Sequence, residues 1–293
     1  MKRFKLILFV IPLIILYLSL TIYPFSYMIY VSFFNIKFGE KVETQFVGVE
    51  NYINAFKDPV VGSAVRFTAI LVLVAVTLEL LLGLGIALLF FGSRGEKFYR
   101  IVMLMPLMIP PAVSGIIWKM LFNSQFGPVN YFLSFFGLPK ISWFGHETYA
   151  PLSIIITDLW QWVPFTFLVF YAGLTGIPKE IQEAAQVDGA GSFHMIRYIS
   201  IPFIKPLIAI VALLRTLDVL KEFEYIFMLT GGGPVTLTYT YSFLMYMVGF
   251  VTGINVSYAS ALGIFLLATA LILAALLIRT IKVKELLQMG GKI

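Results

Sequence analysis

Long apolar runs recur along the whole of this chain, at residues 6–30, 67–91, 101–122, 151–174, 203–229 and 261–281. A helix needs about 20 apolar residues to cross the hydrocarbon core of a bilayer. In lipid only a helix satisfies every backbone amide within one segment. The expected fold is therefore all-α, a polytopic membrane protein with about six transmembrane helices. A shorter apolar stretch at 239–251 is expected to lie at the interface or to insert only in part. The composition agrees, with 60% hydrophobic and 12% charged residues, against about 25% charged in a soluble domain. No water-soluble core hides that much apolar surface. The run at 6–30 exceeds the core of a signal peptide and lacks a small-residue cleavage site after it, so it reads as a retained helix. One membrane domain over 1–293 is expected: a first span and outer loop at 1–66, core spans at 67–281, and a tail at 282–293.

Lysine and arginine collect on the cytoplasmic flanks of membrane proteins. One set of flanks carries Lys2, Arg3 and Lys5, then Arg94, Lys97 and Arg100, then Lys179, Arg197 and Lys205, and finally Arg279, Lys282, Lys284 and Lys292. The other carries only Lys37, Lys41, Lys57, Arg66, Lys119 and Lys140. Both termini are thus expected in the cytoplasm, and the +6 net charge reads as basic loops and not as a nucleic-acid site. Trp118, Phe122, Trp143 and Phe144 fall near the expected outer ends, where aromatic anchors belong.

The chain has no cysteine and only two histidines, His146 and His194. Disulfides, thiolate zinc sites, iron–sulfur clusters and thiol catalysis are excluded, and a His-rich metal site cannot be assembled. No Gly-x-x-x-x-Gly-Lys-Ser/Thr loop occurs, so ATP hydrolysis, if the process uses it, belongs to a partner. Thr230-Gly231-Gly232-Gly233-Pro234 reads as a flexible outer turn.

The loop between the fourth and fifth runs reads Ile177-Pro178-Lys179-Glu180-Ile181-Gln182-Glu183-Ala184-Ala185-Gln186-Val187-Asp188-Gly189-Ala190. Pro178 suits a helix start, 179–188 holds strong helix formers, and Gly189 suits a stop. Ile181, Ala184, Ala185 and Asp188 would share one face, and paired alanines would let another surface approach the backbone closely. An ordinary amphipathic connector fits the same pattern.

Glu183-Ala184-Ala185, Gly189 and Ile199-Ser200-Ile201-Pro202, spaced as they are here, resemble the EAA loop of ABC importer permeases, with Ile201 where that family usually has leucine. Phe46-Val47-Gly48-Val49-Glu50-Asn51-Tyr52 and Leu229-Thr230-Gly231-Gly232-Gly233-Pro234 are similar to segments of the maltose- and glycerol-3-phosphate-type sugar permeases, the first of each pair. The resemblance implies a cytoplasmic coupling helix within 177–202, with Glu183, Ala184, Ala185, Asp188 and Gly189 meeting an ATP-hydrolysing subunit. It implies a second homologous permease, two ATP-binding subunits and an extracytoplasmic solute-binding protein as partners. The setting would be the inner membrane of a prokaryote. ATP and magnesium would be used by the partner subunits, with no cofactor, metal or catalytic residue in this chain.

Charged groups within a span are expensive and mark a pathway or a pairing. Arg215, Asp218 and Glu222 recur at helical spacing in the fifth run, and Asp158, Trp160, Gln161, Trp162, Pro164 and Phe165 cluster in the fourth. Carboxylates and guanidinium accept and donate hydrogen bonds to hydroxyls, and aromatic faces suit the apolar faces of sugar rings. An internal salt-bridge cluster and packing aromatics account for the same residues. The resemblance implies that Trp160, Trp162, Phe165, Arg215, Asp218 and Glu222 line a solute cavity. It implies a sugar or oligosaccharide as cargo, with glycerol-phosphate or a polyol as the alternative and a gradient-driven carrier as a more distant one.

Overall fold

The structure, a computed structural model, describes residues 2–36, 44–93 and 95–281, and the side chains described begin at Val10 and end at Arg279. Lys37, Lys41, Arg94, Lys282, Lys284 and Lys292, the tail at 282–293, and the side chains of Lys2, Arg3 and Lys5 lie outside the described residues. The helices in chain order are α1 (Lys2–Ser32), α2 (Glu50–Lys57), α3 (Pro59–Phe90), α4 (Glu96–Leu107), α5 (Pro111–Leu121), α6 (Pro128–Ser134), α7 (Tyr149–Thr175), α8 (Lys179–Val187), α9 (Ser192–His194), α10 (Ile201–Leu220), α11 (Tyr241–Tyr246) and α12 (Val256–Ile281). Two-residue strands β1 (Phe34–Asn35) and β2 (Gln45–Phe46) pair antiparallel. Among the described residues four helices carry stretches long and apolar enough to span a bilayer: Val10–Ser32, Pro59–Phe90, Tyr149–Thr175 and Val256–Arg279.

Two expected spans are broken. The run at 101–122 was expected as one helix, but α4 and α5 meet at a bend of 93°. Pro106 lies inside α4, while Pro110 and Pro111 open α5. Three prolines in six residues remove three amide donors, and Pro111 disfavours a helical conformation at Pro110, so no straight helix can pass. The run at 203–229 likewise ends as α10 at Leu220; after a break at 221–223 the chain turns again through Glu224 and Tyr225 into a π-helical turn, Ile226–Thr230.

The described residues fall into two compact units. One joins the chain up to Gly62 with Leu244–Thr269. There the buried Asn51 side chain donates to the carbonyls of Ser32 and Phe34, both at 2.8 Å, fixing the exit from α1, and Tyr258 donates to Asp58 at 3.1 Å. The other joins Ser63–Phe243 with the chain from Ala270 onward. Its core is the packing of α3, α7 and α10, where Ala87, Phe167, Phe170, Leu174, Ile204 and Val211 are all buried. The glycine-rich turn after α10 is braced: Thr230 and Thr238 hydroxyls lie 2.8 Å apart and Thr238 donates to the Gly233 carbonyl at 2.7 Å. The expected flexible turn is thus held by its own threonines.

Candidate functional site

Helix α8 forms where the sequence places it. Pro178 occupies the N-cap in extended geometry, and Asp188 is the C-cap. The stop is a Schellman closure: the Gly189 amide donates to the Gln186 carbonyl at 3.0 Å and the Ala190 amide to the Ala185 carbonyl at 2.9 Å. That closure needs a left-handed residue, and Gly189 supplies it at φ +80°. Gln182 returns to the Ile177 carbonyl at 3.0 Å. No residue of α8 is buried. Ile181, Glu183, Ala184, Val187, Asp188 and Gly189 are exposed and Ala185 half-exposed, leaving a short helix whose apolar side is uncovered in this chain.

The second site lies inside the unit built on α3, α7 and α10. Arg215 on α10 is 1% exposed. Its Nε and Nη2 donate to the two carboxylate oxygens of Glu79 on α3 at 2.6 and 2.9 Å, and Nη2 also donates to Asp158 on α7 at 3.2 Å. A guanidinium taken out of water must be paired, and its fork matches a carboxylate in two parallel bonds. Its Cζ also lies 4.1 Å from the centroid of the Trp162 ring, a cation–π stack.

From Trp162 a string of hydrogen bonds continues. Trp162 Nε1 donates to the Tyr225 hydroxyl at 3.1 Å, Tyr225 donates to Gln161 Oε1 at 2.8 Å, and Gln161 Nε2 donates to the Ile109 carbonyl at 2.6 Å. Thr166 donates to the backbone carbonyl of Glu79 at 2.8 Å. The string therefore crosses α3, the α4–α5 bend, α7, α10 and the turn after it.

The residues expected on one solute-facing surface separate. Arg215 and Glu222 are buried; Asp218 is exposed, 3.7 Å from Arg215 Nη1 and 3.6 Å from the ammonium of Lys221. Glu222 accepts the Tyr225 amide at 3.0 Å and so caps the turn that follows. Trp162 and Phe165 meet edge to face with centroids 6.3 Å apart, whereas Trp160 turns toward Trp118 at 5.9 Å. Trp118, Phe122, Trp143 and Phe144 form a contiguous aromatic group. The sequence reading missed Glu79 and Tyr225, and named Gln161 in the fourth-run cluster without giving it a role. Glu79 was findable, being a lone carboxylate inside the run at 67–91. Gln161 and Tyr225 carry no charge, so nothing in the sequence marked the bonds they make. Among the described residues no group of three His, Cys, Asp or Glu side chains is placed to hold a metal.

Residues 79–283 match the family model described as the binding-protein-dependent transport system inner membrane component. The chain belongs to this family. It is a permease subunit of a binding-protein-dependent ABC importer, an all-α membrane protein. It is 32% identical over 284 residues to the sulfoquinovosyl glycerol transport system permease protein SmoG of Agrobacterium fabrum, covering 97% of this chain and 92% of that protein. It is 35% identical over 205 residues to the trehalose/maltose transport system permease protein MalF of Thermococcus litoralis, 70% of each chain. The fold matches a chain of a bacterial alginate ABC transporter crystallised with an alginate pentasaccharide-bound periplasmic protein, with a TM-score of 0.82 and 23% identity over 94% of this permease and 93% of that chain.

Proposed function

We propose that this permease carries a neutral sugar or oligosaccharide, delivered by an extracytoplasmic binding protein, through a cavity shared with a second homologous permease. Two ATPase subunits would drive it from the cytoplasmic side. The observation that carries the solute side is the exposed surface of α10. Phe203, Ile210 and Leu214 are exposed and apolar, yet the same surface ends in Asp218 and Lys221, whose side chains are 51% and 62% exposed. A charged pair of this kind is costly against lipid. That end of α10 fits a watery cavity, with Asp218 and Lys221 offering hydroxyl-binding groups and Trp160 a stacking face. Arg215, Trp162 and Glu222 are engaged with protein partners and would shape the wall from behind.

The cargo class rests on the relatives, whose names include sulfoquinovosyl glycerol and trehalose/maltose systems. The sn-glycerol-3-phosphate permease UgpA of Salmonella typhi, 30% identical over 248 residues, keeps a phosphorylated cargo in view. Asp218 and Glu224, both exposed beside the single Lys221, argue for an uncharged one.

On the coupling side, the uncovered helix α8 supports docking into an ATPase cleft through Glu183, Ala184, Ala185, Asp188 and Gly189. With both termini and α8 in the cytoplasm, closure of the ATPases would push α8 and redirect α10 through the turn at Met195–Ser200. The chain would act as a single inner-membrane permease domain, break no bond in its cargo and need no cofactor of its own. The test is reconstitution of the permease pair, ATPases and binding protein in proteoliposomes. ATP-dependent uptake of a labelled saccharide is expected, and uptake that persists without the ATPases would overturn the reading in favour of a gradient-driven carrier.

A further inference from the structure

One side chain spans both helix breaks. Because Pro110 and Pro111 interrupt the ladder, the Val113 amide donates to Pro110 at 2.9 Å and not to Ile109. The Ile109 carbonyl receives Gln161 instead. The same amide group of Gln161 accepts from Tyr225, which stands just past the break at 221–223. Gln161, 2% exposed on the unbroken helix α7, thus ties the start of α5 and the start of the turn after α10 to one fixed post.

The two tied segments pack on each other. A Cβ on Gly115 of α5 would lie 2.7 Å from Cβ of Met228 in that turn, so the two backbones run closer than a side chain would permit. Each segment is joined to its inner helix by a non-helical break, at 108–110 and at 221–223, where the backbone is held mainly by short turn bonds such as Ile109 to Pro106 at 3.2 Å and Glu222 to Val219 at 3.1 Å. α5 and the Ile226–Thr230 turn can therefore shift together, provided the two bonds to Gln161 and the bond from Trp162 to Tyr225 are exchanged.

We propose that Gln161 is a positioning residue of the transport cycle, a latch that holds α5 and the Tyr225 turn against α7 in the resting state and is released when the cavity changes its accessible side. This rests on the importer reading given above. The apparatus from Arg215 to Trp162 serves as the anchor, since Trp162 donates to the same Tyr225 hydroxyl.

The experiment uses the full importer in nanodiscs with binding protein and a saccharide that stimulates its ATPase. The chain has no cysteine of its own, so nitroxides can be placed at Ile116→Cys on α5 and Thr175→Cys at the end of α7, the other subunits being made cysteine-free. Three backgrounds are compared: wild type, Gln161→Leu, and Tyr225→Phe, which keeps the ring and removes one of the two bonds to Gln161 together with the bond from Trp162. Loss of the latch is expected to raise basal ATPase about fivefold in Gln161→Leu and about twofold in Tyr225→Phe, as the loss of both latch bonds and of one latch bond, respectively, implies. Saccharide stimulation should shrink by the same factors, and the resting distance distribution should broaden. Gln161→Glu, which retains the acceptor for Tyr225 and loses the donor to Ile109, should fall between. Equal basal rates and unchanged distances in assembled variants overturn the latch, as does a parallel fall of basal and stimulated rates. A wild-type complex that couples no saccharide to hydrolysis overturns the importer reading and this inference with it.

Discussion

Glu79 receives the Arg215 guanidinium in two parallel bonds of 2.6 and 2.9 Å, with 0% and 1% of the two residues exposed. The partners are 136 residues apart in the chain, so the pair joins α3 to α10 directly. Removing one member leaves the other charged and without its main counter-ion in the interior, which costs about 3–5 kcal/mol. Glu79→Ala should therefore lose that much stability, read as a lowered unfolding temperature in detergent. Glu79→Leu combined with Arg215→Met and Asp158→Leu should recover most of it, because three apolar side chains leave no orphan charge in the cluster.

Gly83 stands one helical turn beyond Glu79, on the same face of α3. A Cβ there would fall 1.9 Å from Thr166 Oγ1 and 2.9 Å from the Phe167 amide nitrogen. Gly83→Ala must therefore force α3 away from α7 and break the Thr166 bond to the Glu79 carbonyl. A loss of about 1–3 kcal/mol is expected, measurable by the same unfolding assay. Gly85, whose Cβ would meet nothing within 4 Å, is the control and should be neutral on replacement by alanine.

The two tryptophans of α7 should respond differently. The Trp162 ring is stacked by Arg215 and its N–H is bonded to Tyr225, so Trp162→Ala removes support from a buried cation. Lowered stability is expected, with activity lost in proportion to folded protein. Trp160 meets Trp118 edge on. Trp160→Ala should leave the unfolding temperature within a few degrees and raise the saccharide concentration giving half-maximal uptake.

Asp218 is half-exposed and its two ion pairs are 3.6 and 3.7 Å long. Exposed pairs of that kind contribute below about 1 kcal/mol. Asp218→Asn should accordingly fold normally and change which solutes stimulate ATPase, with phosphorylated or anionic sugars gaining relative to neutral ones. An unchanged solute profile would remove Asp218 from the cavity wall.

Gly189 holds φ +80° at the end of α8. A β-branched residue in that conformation costs on the order of 1–2 kcal/mol. Gly189→Val should fray the last turn of α8 and weaken co-purification of the ATPase subunits. The membrane core should keep its unfolding temperature, because nothing lies within 4 Å of the Gly189 position.

The residues legible in advance were those whose placement depends on neighbours in the chain. Pro178 and Gly189 bounded α8 within one residue because capping is a local matter. The apolar runs gave the helices for the same reason. The prolines at 106, 110 and 111 were equally visible, yet an apolar run of spanning length concealed the 93° bend. Arg215, Asp218 and Glu222 were read as one surface from their spacing. The break at 221–223 ends that spacing rule, and Glu222 turns to cap Tyr225.

The sequence by itself determined that this chain is a bundle of membrane helices with an exposed connecting helix ahead of α10, because hydrophobic length, caps and breakers act over a few residues. Only the tertiary structure decided which charges face inward. Arg215 is buried because Glu79 and Asp158, from helices distant in the chain, arrive beside it, and Asp218, three residues on, stays outside because no such partner reaches it. A charge can leave water only where its counter-charge is already waiting, and that meeting is a property of packing, not of any one segment.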